Sequence, residues 1–172
     1  MPDNKKSQKK FEEGMADFVN HNYGQSIEHL SQAIDLDPEF TLAFKSRGAA
    51  YLRLGNAEQA IADFNAVIEM DSSNARAYHL RGLAYEKAGK NDKALHDFNS
   101  ALELKSDYGA VYYSRANLNN KMGHTEQATE DIRMVTHLTE VNIETFSNAN
   151  TVWRSQQLRL ESIYGDDLAM ER

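Results

Sequence analysis

The segment FKSRGAAY at residues 44–51, followed by AIADF at residues 60–64, decides the fold because it recurs with a period of 34 residues. It returns closely as YHLRGLAY at 78–85 with ALHDF at 94–98, and more loosely as YYSRANLN at 112–119 with ATEDI at 128–132. One period earlier, Gly14 aligns with Gly48, Leu30 aligns with Phe64, and Pro38 closes the unit. A fixed period of this length indicates a stack of similar supersecondary units, which is typical of binding proteins rather than enzymes.

Each period predicts a pair of helices. In the second period Phe44, Tyr51 and Leu54 share one helical face, and Gly55-Asn56 then ends the helix, because glycine readily adopts the left-handed conformation. A second amphipathic run follows, with apolar residues at Ala60, Ile61, Phe64, Val67 and Ile68. Each pair is too small to bury its own apolar face, so neighbouring pairs must complete the core.

Two glycines inside the first helices need a structural reason. Glycine in a helix interior costs about 1 kcal/mol relative to alanine. We therefore expect close helix–helix approach, with Gly48 facing Ala60 and Gly82 facing Ala94.

The recurring residues resemble the tetratricopeptide repeat (TPR), whose pattern is W-x2-L-G-x2-Y, then A-x3-F, then P. The resemblance covers residues 7–142 and departs from the pattern at several positions. Arginine replaces leucine at Arg47, Arg81 and Arg115, Asn119 replaces tyrosine, and Ser72, Ser106 and Glu140 stand where proline is common. The resemblance implies an all-α, right-handed α-solenoid of four helix hairpins.

The register continues past the fourth unit. One further period places Phe146 at the position of Tyr112 and the only tryptophan, Trp153, at the position of Tyr51 and Tyr85. This predicts a long C-terminal capping helix. Its last part (Leu160, Ile163, Tyr164) either covers the fourth unit as part of the cap or overhangs and buries against a second copy. The predicted organisation is a flexible basic N-terminus at 1–6, units at 7–40, 41–74, 75–108 and 109–142, a capping helix at 143–164 and an acidic tail at 165–172.

Composition excludes several classes of function. The net charge of −7 argues against nucleic-acid binding, and no stretch is apolar enough for membrane insertion. There are no cysteines, the six histidines lack metal-ligand spacing, and no nucleophile or phosphate-binding motif occurs. We expect a cytoplasmic, non-enzymatic protein with no cofactor, metal or catalytic residue.

A charge pattern accompanies the repeat. Arg47, Arg81 and Arg115 are each followed sixteen residues later by an aspartate, at Asp63, Asp97 and Asp131, while Glu13 and His29 hold these positions in the first unit. The pairs either form a ladder of salt bridges, within or between units, or are surface residues that do not interact with each other.

Function is expected on the concave surface, where first helices of TPR proteins receive a peptide or a partner helix. The residues outside the buried stripe predict a groove that is apolar at its N-terminal end, basic in the middle and amide-rich at the fourth unit. They are Phe11, Met15, Phe18, Leu42, Lys45, Arg53, Arg76, His79, Leu80, Leu83, Lys87, Tyr113, Asn117, Asn120 and Lys121, with Val19, Ser46, Ala49, Leu52, Glu86 and Ser114 beside them. This lining suits a segment with an apolar anchor and acidic character.

Three functional hypotheses remain open at this stage. The first is an adaptor or scaffold that binds another protein in the groove. The second is a small TPR chaperone for a secreted protein, and the third is a self-assembling structural module. Relatives that bind chaperone C-termini use a two-carboxylate clamp, whose positions here hold Phe11, Met15, Ser46, Arg76 and Leu80. Only Arg76 suits that role, so the sequence argues against a chaperone-tail binder.

Overall fold

The structure is a computed structural model that describes the backbone of residues 4–167 and the side chains of residues 4–145, 147 and 148. Within this part of the chain every regular element is an α-helix. The helices are α1 (Asn4–Val19), α2 (Tyr23–Leu36), α3 (Thr41–Leu54), α4 (Ala57–Met70), α5 (Ala75–Lys87), α6 (Asn91–Leu104), α7 (Gly109–Lys121) and α8 (Thr125–Asp167).

Consecutive helices form hairpins that stack in chain order. The paired helices are α1 with α2, α3 with α4, α5 with α6 and α7 with α8. The second helix of each of the first three hairpins also packs on the first helix of the next, and α1, α3, α5 and α7 touch in sequence along one side. This confirms the prediction of an all-α hairpin stack with a long last helix. No helix in the described residues is both long enough and apolar enough to span a bilayer.

The turn inside each hairpin contains one residue in the left-handed conformation. In the second hairpin this is Gly55, with φ of 86°, whose N–H donates to the Leu52 carbonyl while the Asn56 N–H donates to the Tyr51 carbonyl. This pattern satisfies the last carbonyls of a helix. The equivalent position in the first hairpin holds His21, with φ of 63°. The turn therefore keeps its geometry even where the repeat lacks glycine.

The C-terminal helix differs from the sequence prediction. We expected the fourth unit to end near residue 142 and a separate capping helix to begin at 143, but α8 runs without a break from Thr125 to Asp167. The earlier hairpins end at an Asp-Pro or Asp-Ser or Lys-Ser turn, whereas Thr139-Glu140 offers neither an aspartate turn nor a helix-breaking residue. The capping helix is therefore the continuation of the last hairpin.

The chain ends also differ from expectation. α1 begins at Asn4, so residues 4–6 are helical, because Lys5 and Lys6 are good helix formers and no breaker follows Pro2. Ser7 is fully buried, and its hydroxyl donates to the Asn4 carbonyl. At the other end α8 includes residues 165–167, and residues 168–172 of the expected tail lie outside the described part of the chain.

The core depends on a glycine that faces a bulky residue in each of the first three hairpins. Leu30, Phe64 and Phe98 are fully buried. A Cβ added to Gly48 would lie 2.8 Å from the Phe64 ring, and one added to Gly82 would lie 2.6 Å from the Phe98 ring. The expectation that these glycines face alanines was wrong for Gly48, which meets Phe64 and the Asp63 Cβ.

The arginine–aspartate pairs form a ladder that also links neighbouring hairpins. Arg81 donates from Nε and Nη2 to both Asp97 oxygens at 2.7 and 2.8 Å, and from Nη1 to the Asn65 amide oxygen at 2.7 Å. The same three-way contact joins Arg47 to Asp63 and Ser31, and Arg115 to Asp131 and Asn99. The salt-bridge reading of the pattern is confirmed. Each arginine lies on a first helix, its aspartate on the paired helix and its third partner on the preceding hairpin.

The first hairpin replaces this device with a histidine. His29 Nδ1 lies 2.7 Å from Asp17 Oδ2, whereas His29 Nε2 is 3.8 Å from Glu13 Oε2. Asp17 is therefore the closer partner of His29, not Glu13 as the repeat register suggested.

Candidate functional site

The first helices of the first three hairpins enclose a concave cavity of about 520 Å³. This volume is within the range of ordinary ligand pockets. Its apolar walls come from α1, α3 and α5, in the order Met15, Phe18, Ala49, Leu52, Leu80 and Leu83. Its polar walls are Lys45, Ser46, Arg53, Arg76 and Lys87. We call this cavity the concave groove.

The concave groove is positively charged although the whole chain is acidic. Among the described residues, no carboxylate forms an ion pair with Lys45, Arg53 or Arg76. Burial lowers the pKa of the Lys45 ammonium, and the nearby Arg76 guanidinium lowers it further. Lys87 donates from Nζ to the Leu52 carbonyl at 3.1 Å, which ties α5 to the end of α3. The groove thus presents cations that no carboxylate among the described residues neutralises.

His79 occupies a different position from the one the sequence suggested. Only 8% of the residue is exposed, and its ring packs against Phe98 and Tyr108. Its Nε2 lies 2.9 Å from the Ser114 hydroxyl, which joins α5 to α7. Burial lowers its pKa to about 4, with a further contribution from Arg76. His79 is therefore a neutral residue beneath the groove and not an exposed part of its lining.

The fourth hairpin continues the concave side but does not line the cavity. Tyr113 is 55% exposed, and Asn117 and Asn120 are exposed on the same helix. Lys121 forms an ion pair with Glu86 and is thereby partly neutralised. These four predicted residues lie outside the cavity of the first three hairpins.

Two further predicted groove residues also lie apart from the cavity. Leu42, at the start of α3, is 48% exposed. Phe11 is half-buried, and its ring centroid lies 5.0 Å from that of Phe40 within the core between the first two hairpins. Phe11 therefore contributes to packing rather than to the open groove. The predicted self-association residues Leu160, Ile163 and Tyr164 lie along α8, and their side chains are outside the described part.

Sequence reasoning missed a second cavity on the opposite face. It lies at Asn119, where the repeat normally carries tyrosine. The smaller side chain at this position was the sequence signal that could have indicated the cavity. Within the described residues no group of three or more histidine and carboxylate side chains is arranged to hold a metal ion.

Comparison with known proteins supports the repeat assignment directly. A family profile described as TPR repeat matches residues 48–89, and one described as tetratricopeptide repeat matches residues 75–108. A search of curated proteins found no match.

Solved structures of similar fold come from several sources. A fragment of MamA, 41-end, from Desulfovibrio magneticus RS-1 is 21% identical, covers 78% of this chain and 76% of its own, and has a TM-score of 0.75. The first TPR of Spaghetti (RPAP3), bound to the HSP90 peptide SRMEEVD, is 25% identical over 70% of this chain and 96% of its own, with a TM-score of 0.67. The Arabidopsis OM64 TPR domain is 26% identical over 68% and 97%, with a TM-score of 0.65.

The recurring motif, the stacked hairpins and the matching profiles agree with one another. Proteins of this fold are generally non-catalytic and typically mediate protein–protein interactions. The chain contains tetratricopeptide repeats, which the family profiles match over residues 48–108.

Proposed function

We propose that this chain is a cytoplasmic, non-enzymatic adaptor or scaffold that binds an apolar and acidic segment of another protein in the concave groove. The observation that carries this proposal is the combination of an apolar wall with three cations, Lys45, Arg53 and Arg76, for which the described part of the chain provides no carboxylate partner. Unpaired cations beside an apolar surface are the complement of a segment that carries both carboxylates and a large apolar side chain.

Different parts of the groove wall suit different parts of the bound segment. Met15 and Phe18 from α1 face Leu80 and Leu83 from α5 across the cavity, and this apolar end suits an anchoring side chain such as leucine, methionine or phenylalanine. Arg76 lies at the start of α5, where its guanidinium can accept a carboxylate in a bidentate manner. Lys45 stands close enough to Arg76 for the two charges to interact, so one carboxylate between them would relieve their repulsion.

The structural relatives support this kind of ligand without fixing its identity. The RPAP3 domain is bound to a peptide, SRMEEVD, that contains both acidic and apolar residues. In this chain the positions of the two-carboxylate clamp hold Phe11, Met15, Ser46, Arg76 and Leu80, of which only Arg76 is a cation. We therefore propose that the preferred segment differs from a chaperone C-terminus and places its apolar residue toward α1.

Selection from a random peptide library displayed on phage tests the proposal without a known partner. We expect wild-type protein to enrich peptides that combine aspartate or glutamate with leucine, methionine or phenylalanine. These peptides should lose binding to Leu80→Glu and to Arg76→Glu, and should keep binding to the control Arg133→Glu, because Arg133 is exposed on α8 away from the groove. Peptides without acidic enrichment, or binding by both groove variants that equals binding by wild type, would refute groove recognition.

A specific observation favours self-association as a second candidate. α8 extends far beyond its partner α7, and on its exposed surface Val141 is 43% and Ile143 is 64% accessible. Apolar side chains on a projecting helix suit burial against a second copy. Light scattering should then give more protomers per particle for the wild-type chain than for a variant that combines Val141→Glu with Ile143→Glu, and equal protomer numbers would exclude this mode of assembly.

A further inference from the structure

The convex side of the fourth hairpin contains a cavity of about 430 Å³ that the groove proposal does not use. It lies between α6, α7 and α8 and opens over Asn119, which is 6% exposed. Most of its wall is formed by Leu95 and Asn99 of α6, Arg115 and Asn119 of α7, His124 just before α8 and Gln127 within α8.

The preceding hairpin shows what normally fills this position. Tyr85 is the equivalent of Asn119, and its ring packs against the cores on both sides of it. The corresponding cavity there is smaller, about 330 Å³, and Tyr85 forms part of its wall. The exchange of tyrosine for asparagine therefore coincides with a larger opening at the same place in the repeat.

Arg115 has fewer aromatic neighbours than Arg81, the arginine at the same position in the preceding hairpin. Arg81 has two rings beside it, with its Cζ 5.3 Å from the Tyr78 centroid and 5.8 Å from the Tyr85 centroid. Within the described part of the chain, Arg47 has such a contact only with Phe44, at 5.5 Å, although Tyr51 occupies the position of Tyr85. Among the described residues Arg115 has one such ring, that of Tyr112 at 5.5 Å. A guanidinium that is stacked on one side only can accept a second ring by a cation–π contact.

The occupied edges of Arg115 restrict what can bind. Its Nε and Nη2 donate to Asp131 at 3.0 and 2.6 Å, and its Nη1 donates to Asn99 at 2.6 Å. These bonds use three of the five guanidinium N–H donors, and the Asp131 charge would repel an anion that approached the remaining two. The face of the guanidinium stays available, which favours a neutral aromatic ring over a carboxylate or phosphate.

The polar wall favours a ring that carries a hydroxyl group. The contact between His124 Nδ1 and the Asn119 amide oxygen is long, at 3.4 Å, so both groups are weakly engaged with each other. Gln127, at the position of Lys93 in the preceding hairpin, adds an exposed amide at the rim. A phenolic hydroxyl can donate to one of these groups and accept from another.

We propose that this cavity, which we call the Asn119 pocket, binds the tyrosine side chain of a protein partner. The incoming ring takes the place that Tyr85 holds in the preceding hairpin and completes the stack on Arg115. The pocket is a second recognition site on the convex side, independent of the concave groove.

A ligand titration followed by NMR tests the proposal. N-acetyl-tyrosinamide is added at millimolar concentration to ¹⁵N-labelled full-length protein, with N-acetyl-leucinamide as a non-aromatic control. We expect saturable shifts of the Arg115 Nε–H and the Asn119 side-chain amide with the tyrosine compound, and none with the leucine compound. Absence of these shifts, or equal shifts with both compounds, would overturn the proposal.

Two substitutions separate pocket binding from folding. Asn119→Tyr restores the repeat residue and fills the pocket, so we expect at least a tenfold loss of binding in a protein that is no less stable. Asn119→Ala keeps the pocket open, so the shift of Arg115 Nε–H should persist with an affinity within a few-fold of wild type. If Asn119→Tyr binds the tyrosine compound as wild type does, the ring does not enter this pocket.

Discussion

Removal of the Asp97 charge tests whether the ladder sets the hairpins against each other. Asp97 is 1% exposed, and both of its oxygens accept charge-assisted bonds from Arg81. Asp97→Asn keeps the shape of the side chain but places an amide donor against the guanidinium. The variant therefore removes one bond of the pair and leaves the Arg81 charge without its counter-ion.

The expected cost follows from burial. Breaking a buried ion pair by changing one partner costs about 3–5 kcal/mol. The Arg81 side chain is 17% exposed and keeps its bond to Asn65, so part of its charge stays solvated or paired. We therefore expect the lower end, about 3 kcal/mol of unfolding free energy, which corresponds to a fall in Tm of roughly 6–12 °C for a chain of this size.

The ion pair between Lys90 and Glu58 provides a matched control, because its charged groups are as close as those of Arg81 and Asp97 but its side chains are more exposed. Lys90 Nζ lies 2.6 Å from Glu58 Oε1, but these side chains are 41% and 66% exposed. Glu58→Gln should cost no more than about 1 kcal/mol, since exposed pairs contribute little. Urea unfolding followed by circular dichroism at 222 nm measures both variants, with the m-value checked because repeat proteins can lose two-state behaviour.

A double-mutant cycle identifies the interaction itself. Arg81→Met with Asp97→Asn should cost at least about 1.5 kcal/mol less than the sum of the single changes, because either change alone removes the same contact. If Asp97→Asn costs no more than Glu58→Gln, or if the two changes are additive, the ladder does not stabilise the stack.

Two further predictions concern the interior. Gly82→Ala should lower the free energy of unfolding by about 1–2 kcal/mol, because the new Cβ would lie 2.6 Å from the Phe98 ring. Gly24→Ala in α2 should be neutral or slightly stabilising, because its Cβ would have nothing within 4 Å. Urea unfolding measures both variants, and the opposite order of stability would contradict the packing account. The folded state keeps His79 neutral with a pKa of about 4. The stability that the neutral His79 side chain contributes is therefore complete above about pH 6.5 and is lost as the pH falls toward 4. Between pH 7 and pH 4.5 the free energy of unfolding of wild type should fall by about 2 kcal/mol more than that of His79→Gln. Equal falls would mean that His79 is protonated in the folded state as readily as in the unfolded chain.

The sequence was sufficient for features that recur with the repeat. The fixed register located Phe64, Phe98 and the pairing of Arg81 with Asp97, because each depends on a local spacing within one hairpin. It did not locate Asn65 as the third partner of Arg81, since that contact joins two hairpins and depends on how they are rotated. Within one hairpin, the packing of α4 on α3 places Gly48 against Phe64 rather than against Ala60, and the spacing alone did not distinguish the two.

Burial by a neighbouring hairpin explains the errors at the site. His79 has the register of an open groove residue, but Tyr108 and Ser114 of the next hairpin enclose it. Phe11 likewise has groove register and packs on Phe40. Helical periodicity describes a helix by itself, so it cannot show which of its exposed positions the following hairpin covers.

The length of α8 has a different cause. The repeat register predicted a new helix near residue 143, because Phe146 and Trp153 continue the spacing. A turn requires residues that favour it, and Thr139-Glu140-Val141-Asn142 instead continues the helix. The register was informative about spacing along the chain but not about where a turn would form.

The concave groove is the central claim, and a charge exchange tests it most directly. Fluorescence anisotropy measures a peptide selected on wild-type protein, and the same peptide with its key glutamate changed to lysine, against wild type and Arg76→Glu. We predict that Arg76→Glu weakens the original peptide at least tenfold, which is about 1.4 kcal/mol, and that the lysine peptide regains most of this loss. If Arg76→Glu binds the original peptide as wild type does, or if the lysine peptide regains nothing, the groove does not recognise an acidic segment through Arg76.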